Sequence, residues 1–202
     1  MRKHLISSIL AGAMVALLSV PGFAALKPGA AAPDFTATAS LAGKDFTFSL
    51  KQALAKGPVV VYFYPAAFTQ GCDLEAHTFS VNKTKFVAAG VSIIGVSADS
   101  IKRLNKFSSD PNYCAGKFPV ASDPGGRIAA TYDLKMIPPQ KGVVDVRGIT
   151  VTHGFFPRTT FVIDRQGKIV ATLSSKEDHL TPDEHVTRSL AIVQHMQADK
   201  AR

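Results

Sequence analysis

Charged side chains are scarce in this 202-residue chain, 19% against the usual quarter, and no glycine or proline repeat runs through it. A disordered tail, a collagen-like rod, a coiled coil and a low-complexity filament are excluded on those grounds. Beyond residue 24 no segment stays apolar for the ~20 residues that span hydrocarbon. Although the net charge is +8, there is no run of five basic residues and no interleaved aromatics. Lys102, Arg103 and Lys106 therefore read as a solvated basic face, and nucleic acid is not an expected partner. Gly125-Gly126 lacks the Walker spacing and no dinucleotide fingerprint is present, so no nucleotide cofactor is expected. His77, His153, His179, His185 and His195 form no ligand pair at helical spacing, so no metal is expected either. What is plentiful is hydrophobic residue, 46% of the chain. That suffices for one well-filled domain, while the length is too short for three.

Residues 1–24 carry Arg2 and Lys3, an apolar stretch from Leu5 to Val20, and Pro21, Gly22 and Ala24 as a small-residue cleavage site. They read as a secretory signal peptide rather than an uncleaved anchor, because Ser7, Ser8 and Gly12 interrupt a stretch already too short to span. The expected destination is export, in a bacterium the periplasm, with one domain over residues 25–202 and no membrane attachment after cleavage. Cys72 and Cys114 are the two cysteines of that chain. In an oxidising compartment a structural disulfide between them would close a long loop and stabilise by about 4 kcal/mol.

Val59 to Tyr64 is an uninterrupted β-branched and aromatic run, the mark of a strand buried on both faces, and Pro65 ends it. From about Gly71 to Gly90 the period is helical, with Ala76, Phe79, Phe86 and Val87 on roughly one side. Val91 to Ser97 reads as a second buried strand, parallel to the first. Asp99 and Ser100 are candidate caps for a short helix presenting Ile101, Leu104 and Phe107, which must stop before Asp110-Pro111. Cys114 falls in the loop beyond it. Phe118 to Ser122 is a short strand, Arg127 to Leu134 a short helix, and Val143 to Val151 is split by Arg147-Gly148. Thr159 to Ile163 and Lys168 to Leu173 form a hairpin about a tight polar turn. Thr181-Pro182-Asp183-Glu184 opens a last helix with Val186, Leu190, Val193 and Met196 along one face. The fold class is α/β, with strands sandwiched between helices and no internal repeat.

Cys72 begins a helix that follows a buried strand. Unpaired N–H groups and the positive end of the helix dipole there favour a thiolate, so a lowered pKa is expected. In the loop before it, Pro65 shields, Thr69 offers a hydroxyl, and Gly71 lets backbone approach closely.

Pro65, Thr69 and Cys72 meet the signature Pro, three residues, Thr, two residues, Cys, and so resemble the peroxiredoxins. Gly71-Cys72 with Glu75-Ala76 and Phe79 is similar to the bacterioferritin-comigratory, or Q-type, branch. Arg158 to Asp164 looks like the family strand that delivers an arginine. The resemblance runs from about Pro33 to the last helix and implies a thioredoxin-like fold, a central mixed β-sheet flanked by helices. It also implies a thiol peroxidase acting on hydrogen peroxide and organic hydroperoxides. Cys72 would become a sulfenic acid, with Thr69, Arg158 and nearby backbone N–H groups stabilising charge and Glu75 orienting the arginine. The resolving cysteine that many Q-type members carry five residues later is His77 here. Cys114 is therefore the implied resolving thiol, giving an intramolecular disulfide recycled by a thioredoxin-like dithiol reductant. A one-Cys peroxidase using an external thiol stays open, as does a non-enzymatic exported thioredoxin-like domain with a structural disulfide. Asp73 stands where the branch has threonine, and its carboxylate is expected to oppose ionisation of Cys72 unless it faces solvent. Monomer and homodimer are equally compatible with the chain.

Overall fold

The structure, a computed structural model, describes residues 25–200. The expected signal peptide lies outside the described residues. Strands β1 (Thr36–Leu41), β2 (Lys44–Ser49), β3 (Val59–Phe63), β4 (Ser92–Ser97), β5 (Val120–Ser122), β6 (Thr159–Ile163) and β7 (Ile169–Ser174) form one sheet in the order β2-β1-β5-β4-β3-β6-β7. Helices are α1 (Leu50–Lys56), α2 (Gln70–Ala88), α3 (Ile101–Ser109), α4 (Arg127–Thr131) and α5 (Pro182–Lys200). The sheet is mixed as expected: β3 runs parallel to β4 and antiparallel to β6.

All five residues of β3 are buried, which is why they read as a continuous apolar run rather than an alternating one. Successive side chains point to opposite faces, so Val59, Val61 and Phe63 enter one core cluster while Val60, Tyr62 and Tyr64 enter the other. Cys72 and Cys114 both belong to the second cluster, beneath α2, α3 and α5. Gly95 of β4 makes that face possible, because a Cβ there would sit 2.6 Å from Tyr62 Cζ. Among the described residues no helix is long and apolar enough to cross a membrane.

Several elements depart from expectation. The hairpin β1–β2 and helix α1 carry little signal, since the buried residues of β1 are only Ala37, Ala39 and Ser40 and most of β2 is exposed. Val87 leaves the helix face assigned to it and is 59% exposed, whereas Ala76, Phe79 and Phe86 are buried. Helix α4 ends at Thr131, three residues early, in a turn whose Tyr132 N–H donates to the Ala129 carbonyl. Residues 143–151 make no strand, only a Val144–Thr150 bridge. Ser100 alone caps α3, accepting from the Arg103 N–H; Asp99 is fully buried and turns elsewhere.

Candidate active site

Strand β3 ends at Phe63, and the segment Pro65 to Thr69 carries the chain from the carboxyl end of that central strand into α2. Cys72 sits in the first turn of α2, 2% exposed, its N–H donating to the Thr69 carbonyl at 2.8 Å. That N–H is thus spent on the helix; the backbone donor near the sulfur belongs to Ala66 instead. The Thr69 hydroxyl does not cap α2 but donates to the Ala66 carbonyl at 2.7 Å, beside the sulfur. Arg158 arrives from the residue before β6, 86 positions away, and its Nη2 donates to Cys72 Sγ at 3.3 Å. Its Nη1 donates to Glu75 Oε2, one turn along α2, so a single guanidinium forks between carboxylate and sulfur. Gly71 clears the way: a Cβ at that position would press within 3.3 Å of Arg158 Nη2. The structure therefore gathers Thr69, Gly71, Cys72, Glu75 and Arg158 at one place, with Pro65 at the start of the loop that leads to them.

The protonation balance differs from the expectation of a simple lowering. Burial pushes the Cys72 thiol up, while Arg158, the Thr69 hydroxyl and Ala66 pull it down and Glu75 pushes it up again. Dehydration outweighs the cation in this closed arrangement, because a thiolate with almost no water contact loses its hydration before it gains its partners. The comparison that matters is with Cys114. That thiol is fully buried too and is pushed well above its ordinary value, by burial and then by Asp73 and Asp110, with no cation to offset them. Of the two sulfurs, Cys72 ionises first. Glu75 is itself pushed up to about 7 by burial against the pull of Arg158, and its Oε1 is buried without a partner. Asp73 is half-buried and pushed up to about 7 by burial and by Asp145; its charge acts on Cys114, while at Cys72 burial comes first and the charges that act are Arg158 and, more weakly, Glu75.

Cys114 lies in the turn after α3, as expected, and both thiols are free. His77, in the place of the family's usual second cysteine, ties α2 to that turn by donating from Nδ1 to the Asn112 carbonyl at 3.1 Å. A cleft of about 600 Å³ touches Arg158 on its other side, between Leu134, Met136 and Pro157.

Sequence reasoning missed a buried ionic cluster behind the loop. Asp99 accepts from the Ala67 N–H at 2.8 Å and from His153 Nε2 at 2.8 Å, and pairs electrostatically with the Arg103 guanidinium, whose Nε lies 2.7 Å from it. Asp145, also buried, accepts from Arg147 and pairs electrostatically with Arg103. Burial works against its charge, but Arg147, the Ile149 and Arg147 N–H groups and Arg103 hold the carboxyl at about 2. Arg103, expected on a solvated basic face, instead turns inward, its side chain 14% exposed, because Asp99 and Asp145 draw it in; Asp145 and His153 come from a distant loop with no pattern of their own.

A sequence model of the AhpC/TSA family matches residues 28–172. Chloroplastic peroxiredoxin Q of Populus jackii is 30% identical over 173 residues, spanning 85% of this chain and 70% of that one. The crystal structure of peroxidoxin BcpB from Mycobacterium tuberculosis superposes with a TM-score of 0.69 at 29% identity, over 84% of this chain and 97% of that one. The bacterioferritin comigratory protein of Xanthomonas campestris gives 0.61 at 27% identity, over 79% and 91%.

Proposed function

The chain belongs to the AhpC/TSA family and is a thiol peroxidase of the peroxiredoxin type; from that premise we propose a two-cysteine cycle run by Cys72 and Cys114. The observation that carries it is the 3.3 Å contact of Arg158 Nη2 with Cys72 Sγ, where a buried sulfur meets a fixed cation. In the first step the Cys72 thiolate attacks one peroxide oxygen: an S–O bond forms, the O–O bond breaks, and its electron pair leaves on hydroxide or alkoxide, which takes up a proton. Charge passes from sulfur to oxygen; Arg158 and the Ala66 N–H are donors beside the sulfur, and Thr69 adds a third when its hydroxyl turns from the Ala66 carbonyl. In the second step the Cys114 thiolate attacks the sulfenic sulfur: an S–S bond forms, the S–O bond breaks, and hydroxide leaves as water after protonation. An external dithiol of the thioredoxin type then reduces the disulfide and is itself oxidised. Both sulfurs are packed inside one core cluster, and in the proposed cycle the first turn of α2 unwinds to let them meet.

Hydrogen peroxide and organic hydroperoxides are the proposed substrates, and export through residues 1–24 the proposed route to an extracytoplasmic site. Complete burial of Cys114 favours a second reading, in which an external thiol reduces the sulfenic acid directly. Peptide mapping under nonreducing conditions after one equivalent of peroxide separates the two. A Cys72–Cys114 link, with peroxide consumption abolished in Cys72→Ser, supports the cycle; a lone oxidised Cys72 with Cys114 free selects the one-cysteine route. Undiminished consumption in Cys72→Ser would overturn both.

A further inference from the structure

Phe68, between the two cysteine-bearing segments, is 1% exposed and has φ +60°, a left-handed backbone that a bulky residue holds only when its surroundings enforce it. Those surroundings grip it from two sides. Inside, its ring stands edge-on to Phe107, with centroids 5.1 Å apart, and to Tyr113, 5.5 Å away; Tyr113 is the residue before Cys114. Outside, the Arg147 guanidinium lies 3.3 Å from the ring centroid, and the Val146 N–H donates to the Phe68 carbonyl at 2.9 Å. The turn that presents Arg147 is rigid, because buried Asp145 accepts from the Arg147 and Ile149 N–H groups at 2.8 and 2.9 Å as well as from the guanidinium. Ala67 is pinned likewise, its N–H by Asp99 and its carbonyl by Arg103.

The geometry points to Arg147 as a positioning residue that latches Phe68, and to release of this latch as the event that uncovers Cys114 and frees the loop before Cys72. Phe68 bridges the Cys72 loop to Tyr113, so its ring must move before the two sulfurs meet. Arg147, 29% exposed at the rim, is the contact that lets go without opening the core. The role of this motion in turnover rests on the two-cysteine cycle proposed above, but the latch is measurable without it.

The test is native-state alkylation of Cys114 by iodoacetamide in the reduced full-length protein, followed by peptide mass spectrometry across low urea concentrations. Arg147→Ala should raise Cys114 labelling about tenfold, or about 1.4 kcal/mol, within the range of a partly desolvated cation–π contact. The increase should be nearly independent of urea, as local opening is and global unfolding is not. Arg147→Lys keeps the charge beside Asp145 but loses the flat stacked face, so it should give an intermediate rise; it carries the test alone if the alanine variant fails to fold. Unchanged labelling, or a rise that follows urea with the full slope of global unfolding, overturns the latch. Faster labelling with no Cys72–Cys114 link after peroxide leaves the latch standing and sinks the disulfide; a normal link with unchanged labelling does the reverse.

Discussion

Glu75→Gln removes one of the two charges that decide whether Cys72 ionises, while the amide oxygen keeps a partner for Arg158 Nη1. Glu75 and Cys72 are i, i+3 neighbours on α2, about 6 Å apart at that spacing. At an effective dielectric of about 20, two unit charges at that separation repel by roughly 3 kcal/mol, so neutralising Glu75 should lower the Cys72 pKa by about 1–2 units. In the native protein the carboxyl is pushed up to about 7 and the thiol above its ordinary value, so Glu75 is already charged when Cys72 titrates and the repulsion acts on the whole of that step. The assay is the rate of Cys72 alkylation from pH 5 to 10, read peptide by peptide so that Cys114 does not contribute. A midpoint that stays put or rises would refute the reasoning, showing that the carboxylate acts by aiming Arg158 and not through its charge on the sulfur.

Arg158→Lys keeps a cation but cannot fork between Glu75 and Cys72. The second-order rate constant for peroxide consumption should fall by about 10²–10³, the effect of losing one transition-state donor, and a loss of less than threefold would count against the fork. His185 is buried between the Thr160 and Ser175 hydroxyls, and burial, aided by Arg158, pulls its pKa down to about 4. Its contribution is therefore fully present above pH 6.5 and is lost as pH falls through 4, on the order of 2 kcal/mol by pH 4.5. Glu75 and Asp73, both raised, oppose this by gaining stability over the same descent. The quantity to measure is thus the difference in urea stability between wild type and His185→Gln at pH 7 and 4.5; a difference that does not change with pH would refute it.

Much of the architecture was legible because its signals are local. Val59 to Tyr64 announces a two-faced strand, the turn residues of Asp164 to Gly167 close the β6–β7 hairpin, and at the start of α5 the Thr181 N–H and hydroxyl donate to Glu184. The β1–β2 hairpin was silent for an equally local reason. An edge pair lined by Ala37, Ala39 and threonines buries too little apolar surface to stand out from a loop. Val87 was misplaced because a helix face inferred from spacing takes no account of where its neighbours stop; the core ends at Phe86.

By itself the amino-acid order determined that a cysteine begins a helix behind a buried strand, with Pro65, Thr69 and Gly71 at fixed offsets, since those relations span only a few residues of backbone. Tertiary structure decided the rest. Arg158 reaches the sulfur across 86 positions because β6 pairs with β3, and Asp145 and Arg147 close on Phe68 only because residues 143–151 fold back over the site. It also decided the sign of the electrostatics at Cys72. A helix start favours a thiolate, but how much water the fold leaves around it sets what that thiolate costs, and dehydration depends on everything packed against the sulfur.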